Sequence, residues 1–143
     1  MPGGGIDSAM GEMVRILLIE DDPDDAELVR EALAEAEGLT YTLTHAWRFA
    51  EALEVLEREK FDIVLLDLWL ADASGFDTLA GVRGRSPGVP VVVLTGLDDE
   101  AFGVEAARHG ACDYLVKGRA DGASIACSIQ DAIRRSRGAA ARR

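Results

Sequence analysis

The sequence predicts an α/β fold in which helices cover both faces of a five-stranded parallel sheet. From Val14 onward, short apolar runs alternate with amphipathic helical stretches. Right-handed crossovers between parallel strands place such helices on both faces of the sheet. Polar residues follow the apolar runs directly, as Asp67 follows the run at 61–66. Because parallel strands end at a common edge where ligands bind, the same pattern predicts where the functional site lies.

The first strand and first helix carry clear boundary signals. The apolar strand at 14–19 leads to a helix with Asp22 as N-cap and Pro23 as its first residue, and Gly38 ends this helix. The acidic residues near the positive end of its dipole are Asp24, Asp25 and Glu27. The apolar residues expected to face the core are Leu28, Val29, Ala32, Leu33 and Ala36.

The next elements are predicted from weaker patterns. A short strand at 41–46 precedes a helix at about 47–58, and the apolar run at 61–67 is the central strand. Ser74 and Gly75 begin the third helix, which continues to about Arg83. The residues of the second helix expected to face inward are Phe49, Ala50, Leu53 and Leu56.

The last strands and helices complete the alternation. The fourth strand is predicted at 91–94 and the fourth helix at 98–109. A fifth strand at 113–116 precedes a final helix from near Asp121 to Arg135. The residues expected on the buried face of that helix are Ile125, Ile129, Ala132 and Ile133. Together these elements indicate one doubly wound domain.

The composition indicates a soluble globular protein. A hydrophobic fraction of 48% in 143 residues excludes a disordered chain despite the net charge of −11. The acidic excess argues against direct nucleic acid binding, because phosphate contacts need a basic face. No apolar stretch reaches the ~18 residues of a membrane span, and the start lacks the pattern of a signal peptide, so we expect a cytoplasmic location. Cys112 and Cys127 match no metal spacing and are expected to be buried thiols in a reduced compartment.

The domain is predicted to span 13–136. The Gly-rich residues 1–12 are expected to form a flexible leader, and 137–143 a basic tail or a truncated linker. The arginines from Arg134 onward could contact nucleic acid or an acidic partner, but a solvated tail is the simpler interpretation. No output domain is expected within the chain.

Five polar residues are expected to meet at the carboxyl edge of the sheet: Glu20, Asp21, Asp67, Thr95 and Lys117. Carboxylates about 4 Å apart repel by roughly 4 kcal/mol near a protein surface, so such a cluster needs positive charge. The lysine and a divalent cation can supply it, and Mg²⁺ prefers carboxylate oxygens together with waters and phosphate oxygens. The set therefore predicts metal binding and uptake of a phosphoryl group.

Structural roles are an alternative for each of these residues. Asp67 could cap a helix or lie solvated in a loop, and Glu20 with Asp21 could simply extend the acidic cap that Asp22 forms. Thr95 with Gly96 could be a strand-end turn. The residue types and spacing leave these alternatives open.

Five segments in order carry a resemblance to a known family. They are Ile-Glu-Asp-Asp-Pro at 19–23, Leu-Leu-Asp-Leu-Trp-Leu at 65–70, Gly75, Leu-Thr-Gly at 94–96, and Asp-Tyr-Leu-Val-Lys-Gly at 113–118. The chain resembles the receiver domain of two-component response regulators. The resemblance implies a flavodoxin-like fold with strand order 2-1-3-4-5. It also implies transfer of a phosphoryl group from a phosphohistidine to an aspartate.

The resemblance implies a role for each site residue. Asp67 resembles the phosphoacceptor, and Glu20 and Asp21 resemble the acidic pair, with Asp21 as the more direct Mg²⁺ ligand. The backbone carbonyl of Trp69 would complete the metal site. A phosphohydrolase with an aspartyl nucleophile is a further alternative, but such enzymes usually carry a second aspartate at the position that Trp69 occupies.

The resemblance also implies which residues contact the acyl phosphate and which residue changes position after phosphorylation. Thr95 and Lys117 resemble the pair that contacts the phosphoryl group, and Tyr114 resembles the switch aromatic that turns inward when the threonine moves. Ala71 and Gly118 depart from the family, which often has proline at both positions.

The resemblance implies a signalling domain rather than an enzyme with a separate substrate. Its partners would be a histidine kinase or phosphotransfer protein, and a downstream signalling protein or a fused output domain. A homodimer through the fourth helix, fifth strand and fifth helix is another implied contact. A module of the same fold that binds partners without phosphorylation is the alternative.

Overall fold

The computed structural model describes residues 13–73, 75–96 and 100–141. Strands and helices alternate throughout these ranges. The strands are β1 (Val14–Ile19), β2 (Tyr41–Ala46), β3 (Ile63–Asp67), β4 (Val91–Thr95) and β5 (Asp113–Val116). The helices are α1 (Pro23–Glu35), α2 (Phe49–Arg58), α3 (Phe76–Arg85), α4 (Glu100–Arg108) and α5 (Gly122–Ala141).

The strands form one parallel sheet in the order β2-β1-β3-β4-β5. This order confirms the predicted flavodoxin-like fold. The register places Ile19 beside Leu66 and Asp67 beside Leu94. Consequently β1, β3 and β4 end at nearly the same level, and the residues that follow them meet at one edge.

Helices cover both faces of the sheet. On one face, Leu17, Leu66 and Val93 pack with buried residues of α2, α3 and α4. On the other, Ile16 and Leu65 pack with buried residues of α1 and α5. Side chains of a strand alternate between faces, so one apolar strand such as β3 supplies both layers of the core. The continuous apolar runs in the sequence reflect this two-sided burial.

Helices α1 and α2 are capped in different ways at their N-termini. The Asp22 carboxylate accepts hydrogen bonds from the backbone of the first turn of α1, and Pro23 is the first helical residue, as predicted. Helix α2 begins at Phe49, later than the predicted residue 47. Its N-terminus is capped from a distance, because the Asp72 carboxylate accepts hydrogen bonds from Phe49 N and Ala50 N at 2.9 and 3.1 Å. Sequence periodicity carries no signal for such a remote cap.

Three positions that were predicted to be buried are exposed. Leu28 is 51% exposed, and Ala50 and Cys127 are exposed as well. The apolar stripe of α1 is narrower than predicted and is centred on Val29 and Leu33. Helix α2 likewise turns Val55 rather than Ala50 toward the sheet. An apolar residue beside the stripe cannot be told from one within it until the helix orientation is known.

Several boundaries differ from the predictions or lie outside the described residues. Helix α3 continues to Arg85, and α5 continues to Ala141 rather than ending at Arg135. The predicted start of the third helix at Ser74, the predicted start of the fourth helix at 98 and the predicted leader at 1–12 lie outside the described residues. Among the helices of the described ranges, none combines the length and apolar character needed to cross a membrane.

Candidate functional site

The candidate site lies at the carboxyl edge of the sheet. Asp67 is the last residue of β3 and is 5% exposed, while Glu20 directly follows β1 and is fully buried. Thr95, also fully buried, ends β4. Lys117 follows β5, and its backbone N donates a hydrogen bond to Thr95 O at 2.7 Å. The parallel register therefore brings together residues that lie far apart in the sequence.

Three carboxylates converge at this edge. Glu20, Asp21 and Asp67 place one ligand oxygen each within 4.8 Å of one another. The Glu20 carboxylate is held in place because its Oε2 accepts a hydrogen bond from Asp22 N at 3.1 Å. The Asp22 carboxylate instead caps α1. Asp22 thus has the capping role that the sequence predicted.

The Lys117 ammonium group lies among the carboxylates. Its Nζ is 2.5 Å from Glu20 Oε1, 2.9 Å from Asp25 Oδ2 and 3.1 Å from Asp67 Oδ2. The lysine side chain is only 13% exposed. Two of its three donors hydrogen-bond to Asp25 and Asp67, and the contact with Glu20 is an ion pair. With Asp21 nearby, one positive charge faces four acidic side chains.

Burial and neighbouring charges shift two pKa values. Burial, with a hydrogen bond to Asp67, raises the pKa of Glu20 to about 7, and Lys117 only partly offsets this rise. Burial alone would lower the pKa of Lys117, but the carboxylates of Glu20, Asp25 and Asp67 raise it above its ordinary value. The lysine therefore stays charged, and the site has too little positive charge for its acids.

The donor set fits a hard divalent cation. Glu20 Oε1 is buried, and although Lys117 Nζ is close, it receives no hydrogen bond with suitable angles. Asp21 is half-buried, so its carboxylate reaches both the cluster and solvent. Mg²⁺ binds a few carboxylate oxygens while keeping several waters. A buried acceptor with unfilled lone pairs beside a partly open carboxylate meets this requirement.

The loop after β3 fixes the orientation of Asp67. Its Oδ1 accepts a hydrogen bond from Trp69 N at 2.9 Å. The loop closes through a hydrogen bond from Gly75 N to Leu68 O at 2.8 Å. Gly75 has a φ of 79°, a conformation that favours glycine. These contacts shape the loop that contains Ala71.

Thr95 and Tyr114 lie on the neighbouring strands β4 and β5, with Thr95 at the carboxyl edge and Tyr114 beside Val93. Gly96 follows Thr95, and the space beside its Cα is open. Tyr114 is half-buried, and its ring centroid lies 5.6 Å from that of Phe102 in α4. A Cβ added at Gly103 would lie 3.3 Å from the tyrosine ring, so glycine allows α4 to approach it closely. Tyr114 already packs partly inward against α4.

Gly118 constrains the backbone after Lys117 in its own way. Its φ of 84° lies in the left-handed region. Proline has a φ near −65° and cannot adopt this conformation. The turn that leads from β5 toward α5 therefore favours glycine at 118 and excludes proline there.

Asp25 is the site residue that the sequence analysis missed. It had been interpreted only as an acid near the positive end of the α1 dipole, yet its carboxylate contacts Lys117. A signal was present, because Asp25 lies four residues before the buried Val29 and therefore on the same face of α1. The short connection from β1 places this first turn at the carboxyl edge of the sheet.

Comparison with known proteins identifies the family. Residues 16–126 match the family described as response regulator receiver domain. The chain belongs to this family. The receiver domain is 36% identical over 109 residues to the probable transcriptional regulatory protein TcrX of Mycobacterium tuberculosis, covering 76% of this chain and 45% of that protein. It is 34% identical over 107 residues to the transcriptional regulatory protein ZraR of Klebsiella oxytoca, covering 75% and 24%.

A solved structure gives a further comparison. A response regulator protein from Burkholderia pseudomallei, crystallised with a phosphorylated aspartic acid, a calcium ion and citrate, is 28% identical with a TM-score of 0.70. The alignment covers 90% of this chain and 73% of that one. The receiver domain spans less than half the length of the two curated relatives, which are described as transcriptional regulators.

Proposed function

We propose that this receiver domain takes up a phosphoryl group on Asp67 from the phosphohistidine of a histidine kinase or phosphotransfer protein. The observation that carries the proposal is the contact of 3.1 Å between Lys117 Nζ and Asp67 Oδ2 within a buried acidic cluster. A lone carboxylate at a strand end has many structural uses. A carboxylate that shares a buried ammonium with other acids is suited to accepting a highly charged group.

Asp67 is the nucleophile in this proposal. One carboxylate oxygen forms a bond to phosphorus as the bond between phosphorus and the histidine nitrogen breaks. The electron pair of that bond stays on the imidazole, which takes up a proton from solvent. Phosphoryl transfer depends mainly on positioning and on neutralising charge. Lys117 provides a fixed positive charge, and Thr95 with Gly96 offers a hydroxyl and open space for a phosphoryl oxygen.

Mg²⁺ is the proposed cofactor. The carboxylates of Asp21, Glu20 and Asp67 and the backbone carbonyl of Trp69 would hold it. When bound, the cation would neutralise the acidic cluster and the charge of the incoming phosphoryl group. The convergence of three carboxylates and the lack of a hydrogen-bond donor at the buried Glu20 Oε1 support this proposal, because both leave oxygen ligands for a cation.

Comparison with relatives supports the phosphoacceptor role. The Burkholderia pseudomallei response regulator is described as containing a phosphorylated aspartic acid and a calcium ion. Asp67 is the proposed counterpart of that aspartate, and the acidic cluster is the proposed counterpart of the metal site. TcrX and ZraR are described as transcriptional regulatory proteins, which supports a role in controlling a downstream partner.

The proposed output is a switch of a partner-binding surface. Thr95 would move toward the phosphoryl group, and Tyr114 would then turn further inward beside α4. The surface of α4, β5 and α5 would consequently change. It would bind a downstream signalling protein, a fused output domain or a second copy of the domain.

The proposal includes a cytoplasmic location, in keeping with the family's part in two-component signalling. It includes no direct nucleic acid contact by the domain itself, because the chain carries 26 acidic and 15 basic residues. The domain would act as a signalling protein, and any catalysis would be of its own phosphorylation and dephosphorylation.

Incubation with acetyl phosphate and Mg²⁺, followed by intact-mass measurement, tests the proposal. The wild type should gain the mass of one phosphoryl group, and Asp67→Asn should gain none. Asp77→Asn is a matched control, since Asp77 is exposed in the first turn of α3. A wild type that never gains mass would indicate a binding module that signals without phosphorylation. Continuous release of phosphate with many turnovers would instead indicate a phosphohydrolase.

A further inference from the structure

Asp25 contacts the site from outside the acidic cluster. It lies in the first turn of α1, and its side chain is 32% exposed. Its Oδ2 accepts a hydrogen bond from Lys117 Nζ at 2.9 Å. Asp25 is not among the three acids that converge as metal ligands within the described residues. Within the described residues its carboxylate contacts Lys117, so its effect on the site passes through the lysine.

The contacts of Asp67 show why the position of the Lys117 ammonium group matters. Asp67 Oδ1 accepts the hydrogen bond from Trp69 N, and Oδ2 faces Lys117 Nζ. Each oxygen therefore accepts one hydrogen bond and keeps one further lone pair, which must stay available to attack phosphorus. Of the three carboxylate contacts of Lys117, the one to Asp67 is the longest. The other two acids draw the ammonium away from the attacking oxygen.

We propose that Asp25 is a positioning residue for phosphoryl uptake. It holds the Lys117 ammonium group beside Asp67 and prevents a tighter ion pair between Lys117 and Asp67. This inference rests on the proposed function and deepens it. With Asp25 present, the positive charge is close enough to neutralise an incoming phosphoryl group, and Asp67 keeps a reactive oxygen. Without Asp25, one donor of the ammonium group loses its partner and Lys117 pairs more tightly with Asp67. The nucleophile is then masked by the lysine.

The rate of labelling by acetyl phosphate is the first measurement. At saturating Mg²⁺ and acetyl phosphate, Asp25→Ala should take up the phosphoryl group about tenfold more slowly, within the ~100-fold that a displacement of about 1 Å can cost. Asp25→Asn should lose less, because its amide oxygen can still accept the hydrogen bond from Lys117. Asp24→Ala is the matched control, because Asp24 is exposed in the same turn and its side chain has no recorded contact with Lys117.

The ammonium signal of Lys117 is the second measurement. The chain contains two lysines, Lys60 and Lys117, so lysine-selective ¹⁵N labelling gives two Nζ signals, and Lys60→Arg assigns them. Asp25→Ala should shift the Lys117 signal, while Asp24→Ala should leave it in place. A general loss of structure would also move the Lys60 signal, which serves as an internal control.

The outcomes separate this inference from the proposed function. If the wild type takes no label, the proposed function fails and this inference fails with it. If the wild type is labelled and Asp25→Ala is labelled equally fast, only this inference is overturned. A slower rate that disappears at saturating Mg²⁺, or one without a shift of the Lys117 signal, also overturns it, since Asp25 would then act through the metal or the fold.

Discussion

At the scale of single residues, three successive acidic side chains after β1 have different surroundings. Glu20, Asp21 and Asp22 follow one another, yet Glu20 is fully buried, Asp21 lies in the acidic cluster and Asp22 caps α1. Burial makes the charged form of Glu20 unfavourable, whereas the exposed cap is stabilised by backbone donors. Neighbouring acids therefore differ in what a substitution should change.

The first prediction compares the two aspartates of this run. Asp21→Ala should weaken Mg²⁺ binding by about tenfold or more, because it removes a charged oxygen ligand. Asp22→Ala should leave Mg²⁺ binding within about twofold and should instead lower the free energy of unfolding by ~1 kcal/mol, the usual cost of losing an N-cap. Mg²⁺ titration followed by Trp fluorescence and urea unfolding measure the two effects. The reverse order would show that the metal ligand is Asp22.

At the scale of elements, α1 joins the core to the site. Its buried stripe of Ala26, Val29 and Leu33 packs with residues of α5 and the sheet, and its first turn carries Asp25 to Lys117. Leu28 lies beside the stripe and is exposed. The packing of the helix therefore fixes both the stability of this layer and the place from which Asp25 reaches the lysine.

The second prediction tests that packing. Leu33→Ala should lower the free energy of unfolding by about 2–5 kcal/mol, the range for large-to-small substitutions in a core. Leu28→Ala makes the same chemical change on the same helix and should cost no more than ~0.5 kcal/mol. Urea unfolding of both variants gives the comparison. Equal losses would mean that α1 is rotated about its axis relative to the structure.

The strands, the helices and most of the candidate site can be predicted from the sequence, because they follow from which residues are neighbours along the chain. Continuous apolar runs mark two-sided strands, and a polar residue at the end of each run marks the common edge. Three features could not be predicted locally. The exposure of Leu28 and Ala50 depends on the rotation of each helix about its axis. The cap of α2 depends on Asp72, which lies 22 residues or more away in the sequence. The Asp25–Lys117 contact joins residues 92 apart.

At the scale of the whole molecule, a row of aromatic side chains connects the loop after Asp67 to the proposed output face. The Trp69 and Phe102 ring centroids are 6.1 Å apart, and Phe102 lies 5.6 Å from Tyr114. Phe102 is in α4 and Tyr114 is in β5, so the row crosses the elements of that face. A movement at the site thus has a packed route outward through Trp69, and the proposed movement of Thr95 and Tyr114 would provide a second route.

The third prediction distinguishes these routes. Beryllofluoride with Mg²⁺, which mimics the acyl phosphate, should cause the largest NMR shift changes at 95–102 and 113–119, with few near α2. Tyr114 should become more buried than it is in the present structure. Changes concentrated at 69–76, with Tyr114 unmoved, would show that the signal leaves through the loop after Asp67 and that the aromatic switch assignment is wrong.

The central claim is that Asp67 carries the phosphoryl group, and chemical mapping tests it most directly. Borohydride reduces an aspartyl phosphate to homoserine, which tandem mass spectrometry locates after trypsin digestion. The relevant segment, 61–83, also contains Asp62, Asp72 and Asp77, which serve as internal controls. The account predicts homoserine at position 67 alone, and only when Mg²⁺ and the phosphodonor were both present. Homoserine at another of these aspartates, with position 67 unchanged, would contradict it.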